Sequence, residues 1–208
     1  MFEHFFFVIK QVFFVFSASV TSAYTVCCIS NTPFYNPELT VNKLITSVAQ
    51  SSLNLGVICG EAVLGALLYY PYMDNENHTL STSLTNIAKY SLLIELFYYV
   101  YHRYLHVSKW YLIIHQQHHV NIHVYPLDTL QISILDSTGM MLTLILPMLF
   151  VNVNLLEHNL IMYIYLTGAI LTHSKLLVSR HVIHHQKCKC NFCFLFPIFD
   201  YAFGTLET

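Results

Sequence analysis

Residues 90–119 read YSLLIELFYYVYHRYLHVSKWYLIIHQQHH. An apolar run rich in leucine and tyrosine ends in His102-Arg-Tyr-Leu-His106. Eight residues of linker, Val107 to Ile114, then lead to His115-Gln-Gln-His118-His119. A third cluster, His181-Val-Ile-His184-His185, follows near the C-terminus. The first pair is spaced i, i+4, and each triplet is spaced i, i+3, i+4. On a helix these spacings predict that every member of a cluster shares one face. Imidazole is the commonest metal ligand and suits iron, zinc and copper. Eight such ligands are too many for one ion and suit two.

The solvent implied by the rest of the chain is lipid. Hydrophobic residues make up 55% and charged residues 10% of the 208, whereas soluble domains carry roughly a quarter charged residues. Mean hydropathy is +0.53. A net charge of −2 gives no basic face for nucleic acid. The six cysteines do not form a disulfide pattern. Cys27, Cys28 and Cys59 lie in apolar stretches, and Cys188, Cys190 and Cys193 read as reduced surface thiols beside the third cluster.

The expected architecture is all-α and multi-pass, since a span needs roughly 20 mostly apolar residues. Phe5 to Cys28 is the first candidate. It reads as an anchor rather than as a signal peptide cleaved near Thr21-Ser22-Ala23, because the N-terminus carries Glu3 and lacks the usual positive charge. Residues 29–52, with Pro33 and Pro37, are expected to be a loop. A second span runs from Leu55 to Tyr72 and a third apolar stretch begins at Tyr90. Residues 129–172 are expected to form a helical hairpin. His4, His78 and His158 read as interfacial or loop residues, and His123 as a loop residue.

Arg103, Lys109, Lys175, Arg180, Lys187 and Lys189 lie close to the histidine clusters, while the segments 73–88 and 154–158 hold no Lys or Arg. The positive-inside rule places the clusters on the cytosolic side and residues 73–88 on the lumenal side. That loop contains Asn77-His78-Thr79, an N-glycosylation sequon. Eight neutral imidazoles leave cationic charge uncompensated, so acceptors behind them are expected to orient their N–H groups. The candidates are Asp128, Asp136, Asp200 and the tyrosines.

The three clusters resemble the histidine boxes of the fatty acid hydroxylase/sterol desaturase superfamily. The tail, with Asn191-Phe192 and Asp200-Tyr-Ala-Phe-Gly204-Thr205-Leu206, looks most like its cholesterol 25-hydroxylase and C4-methylsterol oxidase branch. The resemblance covers roughly residues 88–208, which divides the chain into N-terminal spans and loops over 1–87 and a catalytic part over 88–208. It implies a multi-pass endoplasmic reticulum enzyme hydroxylating a sterol or related lipid. It also implies two iron ions held by His102, His106, His115, His118, His119, His181, His184 and His185, with O₂ as co-substrate and electrons from NAD(P)H through cytochrome b5 or a reductase. The alternatives within the same superfamily are a desaturase or C4-methyl oxidase, and an inactive member that binds metal or lipid. Asp136 stands where the family usually carries a glutamate. His173-Ser174 looks like the family's additional histidine-serine element, which makes His173 a tentative ninth ligand, although the interval from it to His181 is shorter than usual.

Overall fold

The computed structural model describes residues 2–176 and 180–208. Among these residues there are seven α-helices and no β-strand: α1 (Phe2–Ile29), α2 (Val41–Tyr69), α3 (Leu80–Val107), α4 (Ile134–Ile145), α5 (Leu155–Thr172), α6 (Arg180–Lys187) and α7 (Ile198–Ala202). The first five run side by side and alternate in direction. Phe2–Ile29, Val41–Tyr72 and Leu155–Thr172 are each long and apolar enough to cross a bilayer.

Two helices start well before their apolar runs. Residues 41–52 form the first turns of α2 rather than part of a loop. Where this extension meets the apolar run, the buried polar side chains Ser51 and Asn54 are satisfied by the short 3₁₀ segment Pro126–Leu130 and its continuation. Asn54 donates to the carbonyls of Leu130 at 2.6 Å and Ile132 at 3.1 Å, and Gln131 donates to Ser51 at 2.8 Å. A buried polar face thus becomes compatible with helix once it has partners. Likewise α3 opens at Leu80, ten residues ahead of Tyr90. Thr79 caps it by accepting from the Thr82 N–H at 3.3 Å. 

The segment 129–172 is a hairpin in connection but not in packing. α4 is twelve residues long and lies mainly against α2 and α3, whereas α5 lies mainly against α1 and α3. Side-chain pairs fix both alignments. Glu61 on α2 accepts from Ser137 at 3.1 Å and Thr138 at 2.6 Å on α4. Asn159 on α5 donates to Gln11 on α1 at 2.8 Å, and Tyr163 donates to Ser22 at 2.9 Å. Between the helices lies one apolar core that includes Ile94, Leu144, Ile161 and Tyr165.

These alignments give the bundle two distinct ends. At one end His4 and Phe7 of α1 pack on Tyr70, and Asp74 N–H donates to Val153 O. His78 bonds both Asp74 and Glu157 there. At the other end meet the C-termini of α1, α3 and α5, the N-termini of α2 and α4, and α6. All three histidine clusters lie at this second end.

One histidine and two cysteines depart from their expected settings. His158 is not interfacial but buried on α5, with Tyr69 Oη at 2.7 Å from Nε2. Cys190 and Cys193 are buried rather than on the surface, while Cys188 is partly exposed. His123 is exposed in a loop.

Candidate metal centre

The histidines are delivered by very different backbone. His102 and His106 lie on the last two turns of α3. His115 closes a π-helical turn, Tyr111–His115, and His118 and His119 open a 3₁₀ turn, His118–Val120. The second cluster is therefore not on a regular α-helix, as its spacing predicts. The third lies on α6. His173 terminates α5.

The result is two groups. His102, His106, His115, His119 and His184 form one, and His118, His173, His181 and His185 the other. Within each group every candidate ligand atom lies within 4.8 Å of every other. Neither group corresponds to a sequence cluster. The i, i+4 pairs 102/106, 115/119 and 181/185 each stay together, but the intervening His118 and His184 cross to the opposite group. Successive helical residues diverge by about 100°, so vicinal pairs such as His118-His119 serve two neighbouring sites. The expectation that each cluster shares one face holds only for its i, i+4 members. His173 completes the group of four, with its ring centroid 4.4 Å from that of His181.

All nine rings are buried except His106, which is partly so. Six of the outer nitrogens have defined partners, whereas His118 Nδ1 is buried without one. His102 Nδ1 donates to Phe192 O at 2.9 Å, His184 Nδ1 to Cys190 O at 2.7 Å, His185 Nδ1 to Asn121 O at 3.2 Å and His173 Nδ1 to Ala169 O at 2.9 Å. His115 Nδ1 lies 2.6 Å from Asp136 Oδ2. His119 Nδ1 faces the Cys188 thiol at 3.7 Å. Backbone carbonyls are thus the main acceptors, and composition gave no signal for them. Of the expected carboxylates only Asp136 touches one of these rings. Asp200 instead accepts from the N–H groups of Phe192 and Cys193, at 2.8 and 2.9 Å. It shapes the backbone whose carbonyl holds His102. Asp128 accepts from Asn121 Nδ2 at 3.0 Å, and Asn121 O in turn holds His185.

Those partners decide what the inner nitrogens are. An imidazole whose Nδ1–H donates to a carbonyl carries, when neutral, only a lone pair on Nε2. Yet Nε2 of His115 lies 3.1 Å from Nε2 of both His102 and His119, and His184 lies 3.1 Å from His119. In the second group His185 to His181 is 3.2 Å, His173 to His118 is 3.3 Å and His118 to His181 is 3.5 Å. Lone pairs facing one another at such distances repel unless a cation lies between them. Metal–nitrogen bonds of about 2.0–2.1 Å give nitrogen–nitrogen edges of about 3.0 Å at right angles and about 3.4 Å at the tetrahedral angle. Both groups match those edges. His106 Nε2 is buried with no protein partner, as an atom reserved for an ion would be.

Protons are a poor substitute for that cation. Burial, reinforced by neighbouring imidazoles, holds His118, His119, His181 and His185 well below the ordinary histidine range. Burial pushes His184 down to about 3. Neutral imidazole is the ligating form, so the fold keeps these rings ready for metal at physiological pH. A pocket walled by Tyr98, Ile132, Met140, Ala169 and Phe194 opens against His115, His118, His173 and His181.

A family model described as fatty acid hydroxylase matches residues 87–205, more than half of the chain. No curated protein and no solved structure gives a match. The matched segment contains all nine of these histidines and Asp136. The chain belongs to the fatty acid hydroxylase family.

Proposed function

We propose that this member of the fatty acid hydroxylase family is a di-iron, O₂-dependent membrane oxidoreductase that hydroxylates a sterol or a related lipid. The observation that carries the proposal is the convergence of nine imidazoles into one group of five and one of four, five of them with an oxygen acceptor on Nδ1 that leaves Nε2 as the free lone pair. Structural zinc sites usually take four ligands with thiolates among them. Two adjoining all-imidazole groups instead suit a dinuclear centre. Iron held there would supply oxidation by O₂ of an unactivated C–H bond, with electrons from NAD(P)H through cytochrome b5 or a reductase.

The protein's own residues do the positioning. Carbonyls of Asn121, Ala169, Cys190 and Phe192, together with Asp136, fix ring orientation and tautomer. Tyr98, Ile132, Met140 and Phe194 form an apolar wall beside the histidines. This wall would exclude water and hold the alkyl part of a lipid against the centre. Residues 1–87 would serve as membrane anchor and 88–208 as the catalytic part. The cluster of basic residues at the histidine end favours a cytosolic site in the endoplasmic reticulum membrane.

Product analysis tests the proposal. Membranes expressing the chain should gain a hydroxylated sterol or fatty acid that is absent with His118→Ala. Identical lipid profiles for the two would reject it. A desaturated product would favour the desaturase branch of the same superfamily. An inactive member is disfavoured by the placement of His173 and His181, whose rings meet despite the short interval between them.

A further inference from the structure

Tyr101 precedes His102 on α3 and turns away from it toward α4. Its hydroxyl donates to Asp136 Oδ1 at 2.9 Å, while Asp136 Oδ2 accepts from His115 Nδ1 at 2.6 Å. Asp136 is 2% exposed, so neither bond competes freely with water. The amide of Asp136 donates to Ser133 Oγ at 3.1 Å, and Ser133 Oγ donates to Ile114 O at 2.7 Å. The first turn of α4 is therefore docked on the residue just before His115.

A third residue makes room for the tyrosine. Gly139 lies inside α4, one turn beyond Asp136. A Cβ added there would fall 2.3 Å from the Tyr101 hydroxyl oxygen, 2.4 Å from Cζ and 2.7 Å from Cε2. Glycine is disfavoured in a helix interior relative to alanine. Here the cost is matched by a ring that could not otherwise lie flat against the helix. The two features, a glycine against local propensity and a phenol bridged to a buried carboxylate, have one explanation.

We propose that Tyr101, seated over Gly139, is a positioning residue that fixes Asp136 against His115 and so sets how tightly the five-histidine group holds its metal. The proposal rests on the metal-centre reading above. An aspartate with one partner retains rotation about its Cβ–Cγ bond. A second hydrogen bond on the other oxygen fixes the carboxylate plane. Asp136 is one methylene shorter than the glutamate the family resemblance leads one to expect, so its arm has little slack to regain a lost alignment. Partners standing behind ligating histidines typically change metal affinity or activity by roughly 10–100-fold when removed.

The experiment uses the full chain in detergent, stripped of metal and loaded with cobalt(II) as the probe. Ions retained are counted against rising chelator concentration, and the visible cobalt spectrum is recorded. Wild type, Tyr101→Phe and Gly139→Ala are compared. Both variants are expected to hold one of two ions as wild type does and the other about 10–100-fold more weakly, with an altered cobalt spectrum. A purely local role for Gly139 predicts the opposite for Gly139→Ala, because alanine is the better helix former. Two ions held with wild-type affinity in Tyr101→Phe would overturn the proposal, as would equal weakening of both ions in both variants. A wild-type chain that takes up no cobalt would overturn the metal-centre reading and this proposal with it.

Discussion

His78 ties the end of the bundle remote from the histidine clusters through a single imidazole. Its Nδ1 lies 2.8 Å from Glu157 Oε1 at the start of α5, and its Nε2 lies 3.0 Å from Asp74 Oδ2. With a carboxylate at each nitrogen the doubly protonated ring is favoured. The hydrogen bonds to Asp74 and then Glu157 raise the His78 pKa above its ordinary value of 6.5. Asn86, the other polar side chain facing the ring, lies 3.2 Å from Nδ1. A histidine with a raised folded-state pKa contributes stability that is fully present below the unfolded value and is lost as pH rises through the folded one. The difference in melting temperature between wild type and His78→Ala should therefore be largest below about pH 6 and shrink steadily above it. A difference that grows from acid to alkaline pH would exclude this role.

At the scale of elements, the C-terminal segment is held by a side chain that neither spacing nor composition singled out. Glu95, fully buried on α3, accepts the backbone N–H groups of Phe194, Leu195 and Phe196 at 2.8, 2.9 and 3.0 Å, and the Tyr165 hydroxyl at 3.1 Å. This carboxylate straps residues 194–196 to α3, two residues beyond the carbonyl of Phe192 that orients His102. Glu95→Ala leaves one buried and two partly buried backbone donors unpaired, at about 1–3 kcal/mol for the buried one and less for each of the others. A loss of roughly 3 kcal/mol or more is expected. Glu95→Gln should also destabilise, since its amide turns a donor toward N–H groups. Thermal unfolding in detergent that leaves both variants within about 0.5 kcal/mol of wild type would sink the assignment. Glu95 shows why part of the site was illegible in sequence. The i, i+4 histidines and Asp136 were visible because side-chain spacing and chemistry carry them. The carbonyls of Asn121, Ala169, Cys190 and Phe192 were not, because every residue has a carbonyl and only tertiary path decides where it points. The extent of α2 and α3 was underread for a related reason. Polar side chains in their early turns find partners far along the chain, such as the Leu127 carbonyl bound by Ser51 and the Asn152 carbonyl bound by Asn86.

At the scale of the whole molecule, the two ends differ in charge as well as in content. Seven of the nine Lys and Arg residues, Lys43, Arg103, Lys109, Lys175, Arg180, Lys187 and Lys189, belong to elements at the histidine end, whereas Lys10 and Lys89 lie in the halves of α1 and α3 nearer the remote end, whose own loop at 73–79 carries Asp74 and Glu76 without Lys or Arg. Among the described residues, five helices alternate in direction between these ends, so the site and the loop at 73–79 lie on opposite sides of any bilayer the bundle spans. α5 is 18 residues long, about 27 Å at 1.5 Å per residue, close to a hydrocarbon core of about 30 Å. On the cytosolic placement of the site proposed above from the positive-inside rule, the remote end would face the lumen. Asn77 is exposed there, and Thr79 of its sequon lies at the helix cap rather than inside α3. In microsomes the chain should shift in mobility on glycosidase treatment, and Asn77→Gln should abolish that shift. A cysteine introduced at exposed Lys189, in a Cys28→Ser background, should react with a membrane-impermeant thiol reagent added from the cytosolic side. Labelling of that position only after the membrane is opened, or persistence of the glycan shift in Asn77→Gln, would invert the topology. It would also move the metal centre to a compartment where cytosolic electron donors cannot reach it.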